Sequence, residues 1–455
     1  MSKTEPTSRS YFVPVTGILL IGAVVLIVSL SRRHGLSDAT APANDKAAIP
    51  SDAPRESTGD WIGFHGGGPL LGEAAPIGGP PMKVRWTIHA DDPVPTTRPA
   101  TAPATAPAGH LHGHYEGSAA IVGGVAYVAD TGGTLRAIDI QTGKTLWGYQ
   151  VEAGFETTPL VLDGRALLGD LDGIFHAVDA RTGNKLWTFD SGNAIHSSAN
   201  YLGEKRDRIV FGTDGADIFC LSAVTGDKLW EQKAGDRING APAVARGAAL
   251  VSGCDAQLRA LQGADGKELY TTDLGALCPG SAAVAGDRIV MGTDGGRVLC
   301  ISAETHQQQW LYDAIGEHAM VYASPATSAG VVVFGARDRH VYAVELATGK
   351  ELWKFPTRGD VDSSPAISAG RVYVGSKDKK FYVIDLKSGK ELWSFTAGRG
   401  ITAAPAIGGG VVIIGDSGGN LYCLEPTSLS LGGKGRYTPQ RMRRADENLP
   451  ARDGR

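Results

Sequence analysis

The chain reads as an all-β protein, an eight-bladed propeller of four-stranded blades, and three observations predict it. A tryptophan recurs at Trp147, Trp187, Trp230, Trp310, Trp353 and Trp393, and with Tyr270 in the one gap the spacings are 40, 43, 40, 40, 43 and 40 residues. A period of that size, held from about residue 110 to 425, marks a repeat architecture. Each unit also repeats a phrase: AIDIQTGKTLW (137–147), AVDARTGNKLW (177–187), AVELATGKELW (343–353) and VIDLKSGKELW (383–393) are near copies, with CLSAVTGDKLW (220–230), ALQGADGKELY (260–270) and CISAETHQQQW (300–310) weaker ones. An alternating run, a Thr-Gly or Ser-Gly turn and a second run spell a hairpin. Two further short runs precede the phrase, as in SSPAISAG followed by RVYVGSKDKKFYVIDL, so the unit holds four strands. No segment with a helical period lies between them, which fits a propeller blade and not a helical solenoid.

Third strands at Leu135, Phe175, Ile218, Leu258, Val298, Val341, Phe381 and Leu421 count out eight blades. The eighth ends at 420–428 with no Trp strand after it. MKVRWTIHA (82–90) carries Trp86 in the style of the other Trp strands and is expected to complete the last blade, which removes an open edge.

The expected organisation is a short tail (1–12), an apolar segment (13–30), a flexible linker (31–60) and a propeller (61–426), followed by a basic tail (427–455). Within the propeller, 82–90 is the closing strand, 91–109 a Pro/Ala/Thr linker and 110–426 the repeats. Segment 13–30 is free of charge, with Lys3 and Arg9 before it and Arg32 and Arg33 after, and is long enough for a transmembrane helix. A cleavable signal peptide is the alternative. The flanking charges balance, so they do not orient the segment. The tail after Glu425 carries six arginines and reads as solvated, with contact to an acidic surface as the alternative. A net charge of -4 gives no basic field for nucleic acid. The 62 glycines, about twice the usual ~7% share, follow from the many hairpins.

Cys220, Cys300 and Cys423 take a small core position of the repeat. Cys254 and Cys278 fall on loops at one face, where a disulfide between neighbouring blades is an option in an oxidising compartment. His110, His112 and His114 alternate along HLHGHY, a pattern able to bind a transition metal, but no further ligand is identifiable and no metal site is assigned.

A more informative set stands one per blade before each inner strand: Glu116, Glu156, His196, Asn239, Pro279, Tyr322, Asp362 and Thr402. Each follows a mostly apolar residue (Tyr115, Phe155, Ile195, Ile238, Cys278, Val321, Val361, Ile401) that packs the blade while its neighbour faces the axis. The result is a polar ring at the mouth of the central channel, widened by Arg237, Asp360 and Arg399. Seven of the eight are polar and they differ from blade to blade, the mark of an asymmetric binding surface; a merely water-lined channel is the plainer alternative.

The phrase A-x-D-x-x-T-G-x-x-x-W resembles the tryptophan-docking repeat of the pyrroloquinoline quinone (PQQ) propellers, over roughly residues 61–426. That superfamily holds quinoprotein alcohol dehydrogenases, BamB-type subunits of the outer-membrane β-barrel assembly machinery and many PQQ-binding-like proteins. The resemblance implies that Trp86, Trp147, Trp187, Trp230, Tyr270, Trp310, Trp353 and Trp393 are structural docking residues. It implies fold and not activity. The expectation is a membrane-tethered scaffold, BamB-like in fold, with no cofactor and no catalytic residue, on the periplasmic side of a bacterial inner membrane. Its partners are a protein or peptide at the propeller face and the bilayer at 13–30. The lipid-attachment cysteine expected of a BamB-type subunit is missing near that segment. The alternative is a quinoprotein dehydrogenase of alcohols or sugars, with PQQ and Ca²⁺ at the axis. Against it, no two cysteines are adjacent, no C-x-x-C-H occurs, and blades of about 40 residues leave few insertions to roof a cofactor. Glu116, Glu156 and Asp362 are the carboxylates that would hold Ca²⁺ in that case.

Deleting residues 82–90 is expected to destabilise the whole propeller, because ring opening then costs an entire strand ladder. Thermal unfolding by circular dichroism tests this, and a truncated protein that melts like its parent would refute the closure.

Overall fold

The structure, a computed structural model, describes residues 59–95, 112–313 and 319–427. All of these belong to one compact unit spanning 50–455. Segment 13–30, the basic tail from 428 and His110 lie outside the described residues. Among those described, no helix is long and apolar enough to cross a membrane.

Eight four-stranded antiparallel sheets form the blades. Blade 1 runs outward from the axis as Ala120–Val122, Val125–Ala129, Thr134–Asp139 and Thr145–Gln150. Blades 2 to 7 repeat the pattern over 160–190, 200–233, 243–273, 283–313, 326–356 and 366–396. The second and third strands of each blade are sandwiched between two neighbouring blades, so both their faces are buried and they read as nearly unbroken apolar runs such as Phe381–Tyr382–Val383–Ile384. Outer strands alternate instead, as in Glu351–Pro356.

Two contacts lock neighbouring blades. At the outer edge, the tryptophan of one blade lies on the turn glycine of the next, and its indole N–H donates to a carbonyl there: Trp147 to Ala180 O at 3.1 Å, Trp230 to Gly263 O at 3.2 Å, Trp310 to Leu346 O at 2.9 Å and Trp353 to Leu386 O at 2.9 Å. A Cβ on Gly226 would sit 2.6 Å from the Trp187 ring, and with φ +78° the turn favours glycine in any case. Nearer the axis, the apolar residue before each ring position inserts against the second strand of the preceding blade, where a Cβ on Gly212 would meet Ile238 at 2.3 Å.

One turn breaks the rule, and its docking partner breaks it too. His306 (φ 59°) replaces the turn glycine, and opposite it stands Tyr270, the only non-tryptophan in the series, stacked on the imidazole with centroids 3.5 Å apart. The two departures are a single compensated exchange. Trp393 has no such turn to meet, because the third strand of blade 8 runs on through Asn420–Pro426; it packs on that blade's core.

Blade 8 is completed from the far end of the chain. Met82–His89 pairs antiparallel with Asn420–Pro426 through a bulge between Val84 and Trp86. Arg85 binds Glu425 and donates to Ile140 O at 3.1 Å, while the Trp86 indole donates to the same carbonyl at 3.0 Å. The closing strand thus ties blade 8 to blade 1.

The structure corrects three boundaries. The linker expected to end at 60 ends earlier, since Gly59 O accepts from Gly409 N (3.1 Å) and Asp60 from Gly123 N (3.2 Å). The Pro/Ala/Thr linker begins docked, with Pro95 O accepting from Gly148 N of blade 1 at 3.0 Å. Thr427, assigned to the tail, is held by Pro81 O at 2.9 Å.

Tyr270→Trp alone is expected to cost about 1–3 kcal/mol through overpacking on His306. The double variant Tyr270→Trp with His306→Gly is expected to be at least as stable as the parent. Denaturant melts of the cycle check this, and additive effects would sink the exchange.

Candidate functional site

The end of the channel where the inner strands finish is sealed by the chain's own residues 59–77. Their backbone reaches every blade: Gly59 to blade 8, Trp61 paired with Ile121 (2.8 and 2.7 Å), Ile62 O to Val161, Gly68 to the Asn200 side chain and to Val244, Pro69 O to Val284, Leu71 O to Thr327, and Gly72 O to Ile367. Sequence reasoning assigned this GFHGGGPLLG run no role. Its signal was the density of glycine beside a lone aromatic pair, which suits a chain that must turn tightly over converging strands. At its centre Phe64 stacks on His65 (4.5 Å); burial pushes the His65 imidazole down to about 4.

Above this floor lies a cavity of about 190 Å³ lined by Phe64 and by all eight ring residues, Glu116, Glu156, His196, Asn239, Pro279, Tyr322, Asp362 and Thr402. They converge because each stands at the same repeat position, one residue after the side chain that wedges between blades. One layer down, hydroxyls stitch the inner strands together: Ser118 N donates to Thr158 Oγ1, Thr158 N to Ser198 Oγ, Ala241 N to Ser281 Oγ, Ser281 N to Ser324 Oγ and Ser324 N to Ser364 Oγ, all within 2.7–2.9 Å.

The ring is divided electrostatically. On blades 1 to 3, His196 Nδ1 lies 2.8 Å from Glu156 and its Nε2 3.4 Å from Asp214, and His114 lies 3.2 Å from Glu116. The His196 hydrogen bond holds the Glu156 carboxyl below its ordinary value, and the same bond raises His196. On blades 6 and 7, Arg337 forks onto Asp362 (2.8 and 3.0 Å) while lying 3.9 Å over the Tyr322 ring, and Lys377 binds Asp362 at 2.7 Å and Asp360 at 3.5 Å. Burial pushes the Asp362 carboxyl up; Arg337 and Lys377 outweigh it and leave it below the usual carboxylate range. Between the two arcs, on blades 4 and 8, Asn239 Oδ1 and Thr402 Oγ1 are buried with no hydrogen-bond partner among the described residues.

Asp214, Arg337 and Lys377 were missed in the sequence. All three occupy one repeat position, two residues past Gly212, Gly335 and Gly375 of the second strands, where the backbone N–H bonds back to the ring segment of the same blade. Aligning that position across units would have found them. Arg237 and Arg399 do not line the cavity. The Arg237 Nε lies 3.4 Å from Cys254 Sγ, and Arg399 packs beside Gly418 while its backbone N–H donates to Asp416.

Cys254 and Cys278 are free thiols, not a disulfide. The Cys278 thiol is turned inward against Ala276 O, and burial pushes it up to about 12, whereas Cys254 meets Arg237 at the rim. The histidines of HLHGHY diverge, His112 to Asp91 (2.9 Å) and His114 to Glu116 and Thr131. Among the described residues no group of three His, Cys, Asp or Glu is arranged to hold a metal ion.

Residues 83–203, 172–318 and 314–431 each match the family described as outer membrane protein assembly factor BamB. The chain is 25% identical over 241 residues to the protein of that name from Yersinia pestis, covering 50% of this chain and 53% of that one. It therefore spans about half the length of that curated relative. Among solved structures, BamB from Moraxella catarrhalis superposes with a TM-score of 0.61 at 16% identity, over 76% of this chain and 99% of that one. A europium-containing methanol dehydrogenase superposes with a TM-score of 0.66 at 13% identity, over 81% and 98%. At such identities these likenesses show the fold alone.

The Glu156–His196 pair carries a pH signature. His196 is raised on folding, so its contribution is complete below the ordinary imidazole value of 6.5 and is lost as pH climbs through the folded value. Glu156 is depressed, so its contribution is present above 4.5 and is lost as pH falls through its folded value. Glu156→Gln is expected to return the His196 midpoint toward 6.5 in an NMR titration and to lower stability most between those two values. An unmoved midpoint would rule the coupling out.

Proposed function

The chain belongs to the family described as outer membrane protein assembly factor BamB, and on that footing we propose that it is a non-catalytic binding propeller that holds a polypeptide partner at its axial mouth. The observation that carries this is the pair of unsatisfied groups, Asn239 Oδ1 and Thr402 Oγ1, on opposite blades of a blind cavity. A buried polar atom without a partner costs about 1–3 kcal/mol, which an amide of a bound peptide recovers. The charged ring residues, by contrast, are largely engaged with one another, so they shape the rim and select by charge. The curated relatives' name, an outer membrane assembly factor, supports a protein partner over a small substrate. The uncharged segment 13–30 supports tethering to a membrane, and the family description, not the segment, supports placing the propeller outside the cytoplasm.

The fold would equally admit a quinoprotein dehydrogenase, but the donor set suits PQQ poorly. The cations beside the mouth that would be needed to hold its carboxylates, Arg337 and Lys377, are already bound to Asp362.

A photo-crosslinking residue at Asn239 of the full chain is expected to capture a polypeptide in its native cell, and one at the exposed Lys387 is not. Titration of PQQ with Ca²⁺ is expected to give no saturable heat. Saturable binding with dye reduction on alcohols or sugars would overturn the proposal.

A further inference from the structure

Neighbouring blades meet not only at the docking tryptophans but also at a second pair of positions farther along the seam. The residue two past each tryptophan faces the middle of the next blade's third strand. At five seams both are rings: Tyr149 with His176 (centroids 5.7 Å apart), Phe189 with Phe219 (5.2 Å), Tyr312 with Tyr342 (5.8 Å), Phe355 with Tyr382 (5.2 Å) and Phe395 with Tyr422 (5.0 Å). At two more the third-strand position is an arginine, Arg136 in blade 1 and Arg259 in blade 4, each against an internal carboxylate.

The seam between blades 4 and 5 has neither. The equivalent positions hold Thr272 and Leu299, and where other seams are filled by two rings there is a cavity of about 500 Å³. Its floor is apolar, from Leu274, Leu299 and Ile301, and its rim is polar and exposed, with Thr271 and Gln308 at the perimeter of the propeller. Thr272 Oγ1 is buried there without a hydrogen-bond partner among the described residues. A cavity with an apolar floor, a mostly polar lining and one unsatisfied hydroxyl matches a phenol better than a saturated chain.

The slot borders Glu268–Asp273, the outer strand of blade 4, whose outward backbone groups are not paired in the sheet. The molecule already shows how such an edge receives a chain. On blade 1, Pro95 O accepts from Gly148 N at 3.0 Å, and the Val94 side chain covers Gly148 so closely that a Cβ there would meet it at 2.5 Å.

We propose that the seam between blades 4 and 5 is a second binding site, which takes the aromatic side chain, tyrosine by preference, of an extended peptide laid along the outer strand Glu268–Asp273. It is separate from the axial mouth, so neither site's test decides the other.

The test uses the full chain and dye-labelled five-residue peptides in which tyrosine, phenylalanine or alanine is flanked by valine and threonine, read by fluorescence anisotropy. Saturable binding is expected for the tyrosine peptide, several-fold weaker binding for phenylalanine and none for alanine. Thr272→Phe with Leu299→Tyr rebuilds the ring pair of the other seams; it is expected to abolish binding while holding or raising Tm. Thr272→Val is expected to keep binding and erase the preference for tyrosine. Should the double variant fail to fold, Leu299→Phe gives the same reading. Failure of the parent to bind, or equal binding by a folded filled variant, overturns the site. N-acetyltyrosinamide binding as tightly as the peptide overturns the edge-added chain and leaves a pocket for a free phenol.

Discussion

Ring closure is the constraint on which everything else in this propeller depends. Eight wedge-shaped sheets can be packed side by side only if the last meets the first, and here that meeting is made by one strand, Met82–His89, paired to Asn420–Pro426 and hooked onto blade 1 through Trp86 and Arg85. Every other blade is local in sequence. This one joins residues more than 300 positions apart, so the ring cannot be complete until both ends of the repeat region are folded. The axial cavity exists only as a product of closure, since its wall takes one residue from each blade.

Most of this architecture was legible because a repeat states its own rules several times. The Trp period and the Thr-Gly turns defined the blades, and the orphan Trp86 identified the missing strand. Even the irregular copy CISAETHQQQW is explicable once its neighbour is read beside it: a histidine in the turn goes with a tyrosine at the dock. The ring residues were likewise legible from position alone, because the preceding wedge residue must point into the neighbouring blade and the next must then face the axis.

What escaped the reading lies where periodicity is absent or was applied to too few positions. Residues 59–77 repeat nothing, and their role rests on their own backbone groups bonding to all eight blades, at blade 3 through the Asn200 side chain, which no periodic pattern in the segment encodes. Arg337 and Lys377 sit at a periodic position outside the docking phrase, and they hold the Asp362 carboxyl below its usual range against the opposing effect of burial. The disulfide left open by the sequence is not formed: Cys254 and Cys278 are free thiols, and the Cys278 thiol packs inward against Ala276 O. The apolar segment and the basic tail remain expectations from composition.

The circuit of residues 59–77 has a mechanical meaning. Any pull on the chain upstream of Gly59 is met first by hydrogen bonds spread over all eight blades, and only afterwards by the closing strand that begins at Met82. The segment is a strain relief. Load arriving along the chain is shared around the hub, and the one ladder whose loss would open the ring is shielded from being peeled strand by strand.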